Sequence, residues 1–356
     1  MSAGIPSRYI PTGKVLTGGM GEVLICQDTS LEREVAIKFI QDYGDQRRLF
    51  DEIEALQKIR SKHVVQIFDV FISSFDRRIG LVQEYVSGND LVSFGEGHNW
   101  TLDEYLKVLY QIASGISDIH AQGLIHRDIK PNNIKFDESG IIKIFDFGLA
   151  RFVGKNDSTL GFAGTPMFAA PELYRSGLVP FTNAIDTYAF GITAWYLSGG
   201  EIPSALLQRP PDLINAVSFA SIPLQIPDAI VSMLDSTLAE DINNRASILA
   251  IRSLLEKYLL RNKHRALLVY GGQTYTLEKG NRLVRLDVKN YGSLHIRYDG
   301  LDFLIDFVNG AVFVNNQIAQ KGQILPKNCV ITLGESSRKA ERLFITFDIS
   351  NPEVVL

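Results

Sequence analysis

The run His126-Arg127-Asp128-Ile129-Lys130-Pro131-Asn132-Asn133-Ile134, followed shortly by Asp146-Phe147-Gly148, gathers an unusual set of side chains into one stretch. Among them are two carboxylates, an ammonium group and two carboxamides. A carboxylate can accept a proton, an ammonium can neutralise a moving anion, and hard oxygens suit magnesium. Phosphoryl transfer asks for little more: two oxygens held in line while metal and cation absorb the developing charge. Taken singly, each residue also has a plain reading, since Asp and Asn are common in turns. Both strings, in this order and at this separation, are harder to read as turns alone.

Other elements must hold such groups in place. Upstream, Gly18-Gly19-Met20-Gly21-Glu22-Val23 lies between two apolar stretches. Glycine lets the backbone approach phosphate oxygens and donate N–H groups, although a simple hairpin turn would use the same residues. Val35-Ala36-Ile37-Lys38 has strand composition. From about Gln46 to Arg60, Leu49, Ile53, Leu56 and Ile59 recur at three- and four-residue steps and predict a helix with one apolar stripe. Leu81 to Val86 reads as a strand. From Leu102 to His120 the apolar residues Leu106, Leu109, Ile112, Ile116 and Ile119 predict a long helix ending before the turn at Gly123. Ala189 to Leu197 reads as a buried core helix.

Composition bounds the function. A chain of 356 residues implies two or three domains. Its net charge of −4 argues against a nucleic-acid-binding surface. The two cysteines, Cys26 and Cys329, lie far apart without metal-like spacing to any histidine and read as free thiols of a reducing compartment. Met1 to Pro6 lacks a basic region followed by an apolar run, and no stretch reaches the roughly 20 apolar residues that span a bilayer. A cytoplasmic location is the expectation.

Together these strings resemble the eukaryotic-type serine/threonine protein kinases, and the likeness covers residues 9 to 260. It implies a bilobal α+β fold, with an antiparallel β lobe over about 9–84 and a mainly α lobe over about 87–260. ATP and Mg2+ would be the cofactors, and proteins bearing serine or threonine the substrates. Asp128 would accept the hydrogen of the attacking hydroxyl, Lys130 would neutralise the phosphoryl group, and Asn133 and Asp146 would hold magnesium. Gly18, Gly19 and Gly21 would cover the phosphates, with Leu16 where the family carries its first loop glycine. Lys38 would pair with the α- and β-phosphates and with Glu52; Asp51 and Glu54 are the rival acids. Val23 and Ala36 would lie over the adenine, Gln83 behind it, and Glu84 and Val86 would contact it through main-chain atoms.

The resemblance extends through Gly164-Thr165-Pro166-Met167-Phe168-Ala169-Ala170-Pro171-Glu172, which matches the end of an activation segment. It implies a buried pair between Glu172 and Arg245, and an Asp186 that braces the catalytic loop. Lys130 together with Thr165 matches serine/threonine rather than tyrosine kinases. Arg127 is the family's receiver for a phosphorylated activation segment, in which Ser158 and Thr159 are the available hydroxyls. With Lys38, Glu52, Asp128, Asn133 and Asp146 all present, a working enzyme is expected. An ATP-sensing scaffold whose tail recruits partners is the alternative.

Arg261-Asn262-Lys263-His264-Arg265 reads as a linker, and residues 266–356 fall outside the kinase pattern. There, short alternating stretches predict strands at Leu283–Leu286, Leu294–Tyr298, Phe303–Val308, Val312–Val314, Val330–Leu333 and Leu343–Phe347. Gly280-Asn281, Asp299-Gly300 and Asn309-Gly310 divide them, which argues for an all-β sandwich. Asn309 to Asn316 and Val330 to Gly334 resemble a forkhead-associated domain. In that family an arginine, a serine and an asparagine bind phosphothreonine. Here Gly292-Ser293-Leu294-His295 stands near the serine string out of register, and Arg282 is an ambiguous match for the arginine. Three roles stay open for this tail: protein docking, phosphothreonine reading, or control of the kinase lobes.

Overall fold

The computed structural model describes residues 4–18, 21–40, 53–54, 56–95, 97–147, 151–152, 165–174, 181–212 and 218–356. Gly19, Glu52, Ser158 and Thr159 therefore lie outside the described residues, as do Gly148 and Gly164. The chain divides into two compact units, Met1–Leu255 with Leu356, and Glu256–Val355.

The first unit begins with β1 (Tyr9–Gly18), β2 (Gly21–Asp28), β3 (Arg33–Ile40), β4 (Ile67–Ile72) and β5 (Ile79–Glu84). They form one antiparallel sheet in the order β1-β2-β3-β5-β4. Tyr9, Leu24, Cys26, Val35, Ile37 and Val82 bury one face of it. Register then fixes the other face, setting Val23 opposite Lys38, Ile25 opposite Ala36, and Ala36 opposite Gln83. Of the predicted helix between Gln46 and Arg60, the described residues Ile53, Glu54 and 56–58 are helical, with Ile53 and Leu56 buried.

After β5 comes α1 (Leu102–Ala121). Its start is closed reciprocally: the Glu104 N–H donates to the Thr101 hydroxyl at 3.3 Å, and the Thr101 N–H donates to the Glu104 carboxylate at 2.9 Å. Leu106, Leu109, Ile112, Ile116 and Ile119 are all buried, so the stripe read from spacing is the core-facing side. Short strands follow: β6 (Leu124–Ile125) pairs with β9 (Arg151–Phe152), and β7 (Ile134–Phe136) with β8 (Ile142–Ile144). Next are α2 (Ala184–Leu197), α3 (Asp228–Thr237) and α4 (Ile248–Leu259), within which the division between units falls. α2 is buried almost all round, and it meets α3 closely: a Cβ on Gly191 would lie 2.0 Å from Thr237 Oγ1. No helix among the described residues is long and apolar enough to cross a membrane.

His63 joins the segment before β4 to β8. Its Nδ1 lies 3.2 Å from the Ile142 carbonyl, and its Nε2 is buried with no hydrogen-bond partner among the described residues. Burial pushes the imidazole down to about 4, with Lys62 and Lys143 adding to the effect while the Ile142 bond and Asp118 oppose it. The folded state therefore resists a proton that the unfolded chain takes up near pH 6.5. Stability should be complete above pH 6.5, fall as pH drops toward 4, and lose up to about 3 kcal/mol from this group. Melting curves across that range should flatten in His63→Leu; an equally steep fall in the variant would rule the assignment out.

The second unit holds β10 (Ala266–Tyr270), β11 (Gln273–Leu277), β12 (Leu283–Val288), β13 (Gly292–Tyr298), β14 (Phe303–Gly310), β15 (Val312–Val314), β16 (Gln317–Ile318), β17 (Asn328–Leu333) and β18 (Leu343–Ile349). A six-stranded sheet runs β11-β10-β18-β17-β15-β16, and a three-stranded sheet runs β12-β13-β14. Leu268, Leu286, Leu294, Ile296, Ile331 and Phe347 belong to one core drawn from both sheets. Alternation located six of these strands and missed β10, β11 and β16. β10 and β11 form a hairpin around Gly271-Gly272, both with positive φ as a tight two-residue turn requires. Asn309 and Gly310 are still paired, with Ser293 and Gly292, so they end β14 and do not form a separate turn.

Candidate active site

Asp186, in the first turn of α2, organises the loop after β6. Its carboxylate accepts the backbone N–H groups of His126 and Arg127, each at 2.8 Å, and lies 2.9 Å from His120 Nε2. Burial is the largest influence on Asp186 and would raise its pKa; the His120 bond, the nearby His120 and His126 charges and the Arg127 N–H together hold it below the usual carboxylate range. Arg127 thereby sits at φ 69°, in the left-handed region, with its guanidinium 3.9 Å from the Phe181 ring centroid. Burial pushes the His126 imidazole pKa down, against the pull of Asp186 and Asp128. A proton on Nε2 suits its geometry, because Nε2 is 3.1 Å from the Phe145 carbonyl while Nδ1 accepts the Asp128 N–H at 3.3 Å. The His126 ring also meets Phe147, with centroids 4.8 Å apart.

The turn that follows delivers Asp128, 3 % exposed, into a ring of donors. Asn133 Nδ2 donates to both the carbonyl and the carboxylate of Asp128 at 2.8 Å. Lys130 Nζ stands 2.8 Å from Asp128 Oδ2 and donates to the Thr165 hydroxyl at 2.6 Å. That hydroxyl in turn donates to Asp128 Oδ1 at 3.2 Å. Asp128, Lys130, Asn133 and Thr165 are thus brought together in one hydrogen-bonded group. Asp146 follows β8 at φ 68° and is ion-paired with Lys38 of β3. The amide bonds of Asn133 go to Asp128 through its nitrogen, so its hard Oδ1 and the Asp146 carboxylate are the oxygens suited to a divalent cation.

Farther up the sheet, Gln83 is buried opposite Ala36, and Glu84 ends β5 two residues before the buried Val86. Val23 stands opposite Lys38 in the β2–β3 register; Leu16 pairs with Val23, and Gly18 with Gly21, at the end where β1 leads into β2. Glu172 and Arg245 form a two-pronged pair at 2.7 and 2.8 Å, with side chains 7 % and 1 % exposed. Ser158, Thr159, Glu52 and Gly19 cannot be placed relative to these groups, being outside the described residues. Two residues escaped the sequence reading. A Cβ on Gly88 would lie 1.9 Å from the Phe136 carbonyl, so the chain leaving Val86 passes β7 where only glycine fits. Lys143 pairs with Glu84 at 2.8 Å. Gly88 sits in turn-like composition that offered a signal, whereas a lone lysine between Ile142 and Ile144 offered none.

A family model described as the protein kinase domain matches residues 9–258. The serine/threonine-protein kinase PrkC of Bacillus subtilis is 34% identical over 210 residues, covering 56% of this chain and 31% of that protein. The probable serine/threonine-protein kinase pknA2 of Bifidobacterium longum is 32% identical over 210 residues, 56% of this chain and 27% of that protein. Serine/threonine-protein kinase ppk34 of Schizosaccharomyces pombe is 30% identical over 206 residues, 55% of this chain and 57% of that protein. The chain thus spans less than two thirds of the length of each of these relatives. With the family model covering most of its length and relatives named as serine/threonine kinases, this chain belongs to the protein kinase family.

Proposed function

We propose that this chain transfers the γ-phosphate of ATP to serine or threonine hydroxyls of proteins. The observation that carries the reading is the hydrogen-bonded group of Asp128, Lys130, Asn133 and Thr165, beside which the chain also carries the Lys38–Asp146 pair. Asp128 accepts the proton of the incoming hydroxyl, at the carboxylate that Thr165 and Asn133 already orient. Lys130, shared between Asp128 and Thr165, meets the negative charge that builds on the moving group. Lys38 holds the α- and β-phosphates. Glu84 and Val86 hold the base through their backbones, with Val23 and Ala36 above it and Gln83 behind. Leu16, Gly18, Gly19 and Gly21 close over the phosphates.

Magnesium, held by Asn133 and Asp146, would neutralise the phosphates. Two hard protein oxygens fit an ion that keeps water and phosphate in its remaining positions. Asp186 supports the loop, Arg127 receives a phosphorylated Ser158 or Thr159, and Glu52 orients Lys38. The kinase domain runs over 9–260 and acts on itself as well as on other proteins.

For residues 266–356, after the run 261–265, we propose a forkhead-associated-like β-sandwich that docks a protein partner. An open cavity of about 610 Å³ is lined by Asp287, Lys289, Ser293, Asn309 and Arg338 among others. The Ser293 hydroxyl, and then His295, hold the Asp287 carboxyl below its usual range, so a negative charge persists there. That charge opposes a phosphate dianion. Arg282 donates to Asn262 at 2.7 Å, which supports a bracing role in place of phosphate binding.

The purified 356-residue chain should move labelled γ-phosphate from Mg–ATP to protein serine or threonine. Nucleotide binding without any transfer would favour the scaffold reading instead. Threonine peptides should bind no better after phosphorylation; a gain that phosphatase reverses would make the tail a phosphothreonine reader.

A further inference from the structure

Lys143 stands in the middle of β8, three positions before Asp146. Its cross-strand partner in β7 is Lys135, and two ammonium groups set opposite one another in an antiparallel pair repel. Each finds separate relief. Lys135 Nζ lies 5.4 Å from the Phe145 ring centroid, while Lys143 Nζ reaches Glu84 Oε1 at 2.8 Å. The pair is shielded from water, with side chains 11 % and 24 % exposed.

Glu84 also binds Gln66. Its Oε2 accepts the Gln66 N–H at 3.1 Å, and its own N–H donates to the Gln66 carbonyl at 2.8 Å. Gln66 ends a segment laid along β8: the Val65 N–H donates to the Ile144 carbonyl at 3.0 Å, and the Ile144 N–H donates to the His63 carbonyl at 2.9 Å. One carboxylate therefore closes a circuit through the end of β5, the segment 63–66 and β8. β5 leads into Glu84–Val86, and β8 leads into Asp146.

We propose that the side chains of Lys143 and Glu84 are positioning residues, fixing the distance between the backbone that takes the base and the carboxylate at the phosphate end. The inference rests on the transfer reaction proposed above. It separates from a merely stabilising pair by one property. A spacing device matters to a ligand that engages both ends and not to one that engages a single end.

The test uses the 356-residue chain and four variants: the single changes Lys143→Met and Glu84→Gln, the two combined, and the control Lys143→Arg. Binding of Mg–ADP and of adenosine is measured by calorimetry, KM for ATP by γ-phosphate transfer, and folding by Tm. Each single change should weaken Mg–ADP and raise KM by about five- to tenfold, while adenosine moves less than about twofold. The double variant should fall within about twofold of the worse single, because both changes break the same contact. Lys143→Arg, which keeps the charge, should restore Mg–ADP binding to within about twofold. Mg–ADP affinity unchanged in the singles, additive losses, or equal losses for adenosine and Mg–ADP would each overturn the proposal while leaving the kinase reading intact. Wild-type chain that binds no Mg–ADP would instead overturn that reading and this one with it.

Discussion

Asp128→Asn should lower the rate of γ-phosphate transfer by roughly 10²–10⁴-fold, the range that a positioned proton acceptor contributes. Asparagine keeps the shape and one oxygen of the side chain, so the group around it can still assemble. What it loses is basicity. The Asn133 and Thr165 bonds now reach Asp128 at 2.8 and 3.2 Å, and one oxygen must serve both in the variant. Mg–ADP binding should therefore change much less than turnover, because Lys38 and Asp146 are untouched. The split between KM and kcat is the readout, with the loss falling on kcat. Asp128→Ala adds a second injury by leaving buried donors unpaired, and should also cost about 1–3 kcal/mol of stability. An Asp128→Asn enzyme retaining more than a tenth of wild-type turnover would remove this carboxylate from the chemistry.

The second large effect concerns folding. Arg245 donates to both oxygens of Glu172 and also to the carbonyls of Ala239 and Ala184, at 2.8 and 3.0 Å. Its guanidinium carbon lies 5.1 Å from the Tyr188 ring centroid. Removing one partner strands the other charge out of water, so Glu172→Ala or Arg245→Ala should cost about 3–5 kcal/mol. In a unit of this size that corresponds to a drop in Tm of roughly 10 °C. Removing both together should cost clearly less than the two single losses added. Strict additivity would mean that the two groups stabilise the fold independently.

Several of these contacts were visible in the chain and several were not, for reasons that differ by residue. The stripe from Leu106 to Ile119 is a local signal, and α1 follows from it because one face must be buried. Asp186, Glu172 and Arg245 sit in recognisable strings, yet their partners lie some 60 to 70 residues away. Only resemblance, not periodicity, could match them. β10 and β11 carry a clear turn in Gly271-Gly272, but their short flanking stretches, such as Gln273–Leu277, lack a strong alternation of apolar and polar residues. Lys143 shows the limit. Nothing near it in sequence marks it, since its meaning comes from Glu84, which the fold alone brings within reach.

The core of the second unit closes on itself: nineteen buried residues, among them Leu268, Ile296 and Phe347, form one cluster. At about 100 residues, such a body lies within the size range that folds unaided. Portability follows. A body of this kind has a core of its own to carry it. Its contribution can accordingly be assayed as a separate polypeptide added back to the catalytic fragment, which would tell tethering apart from direct control.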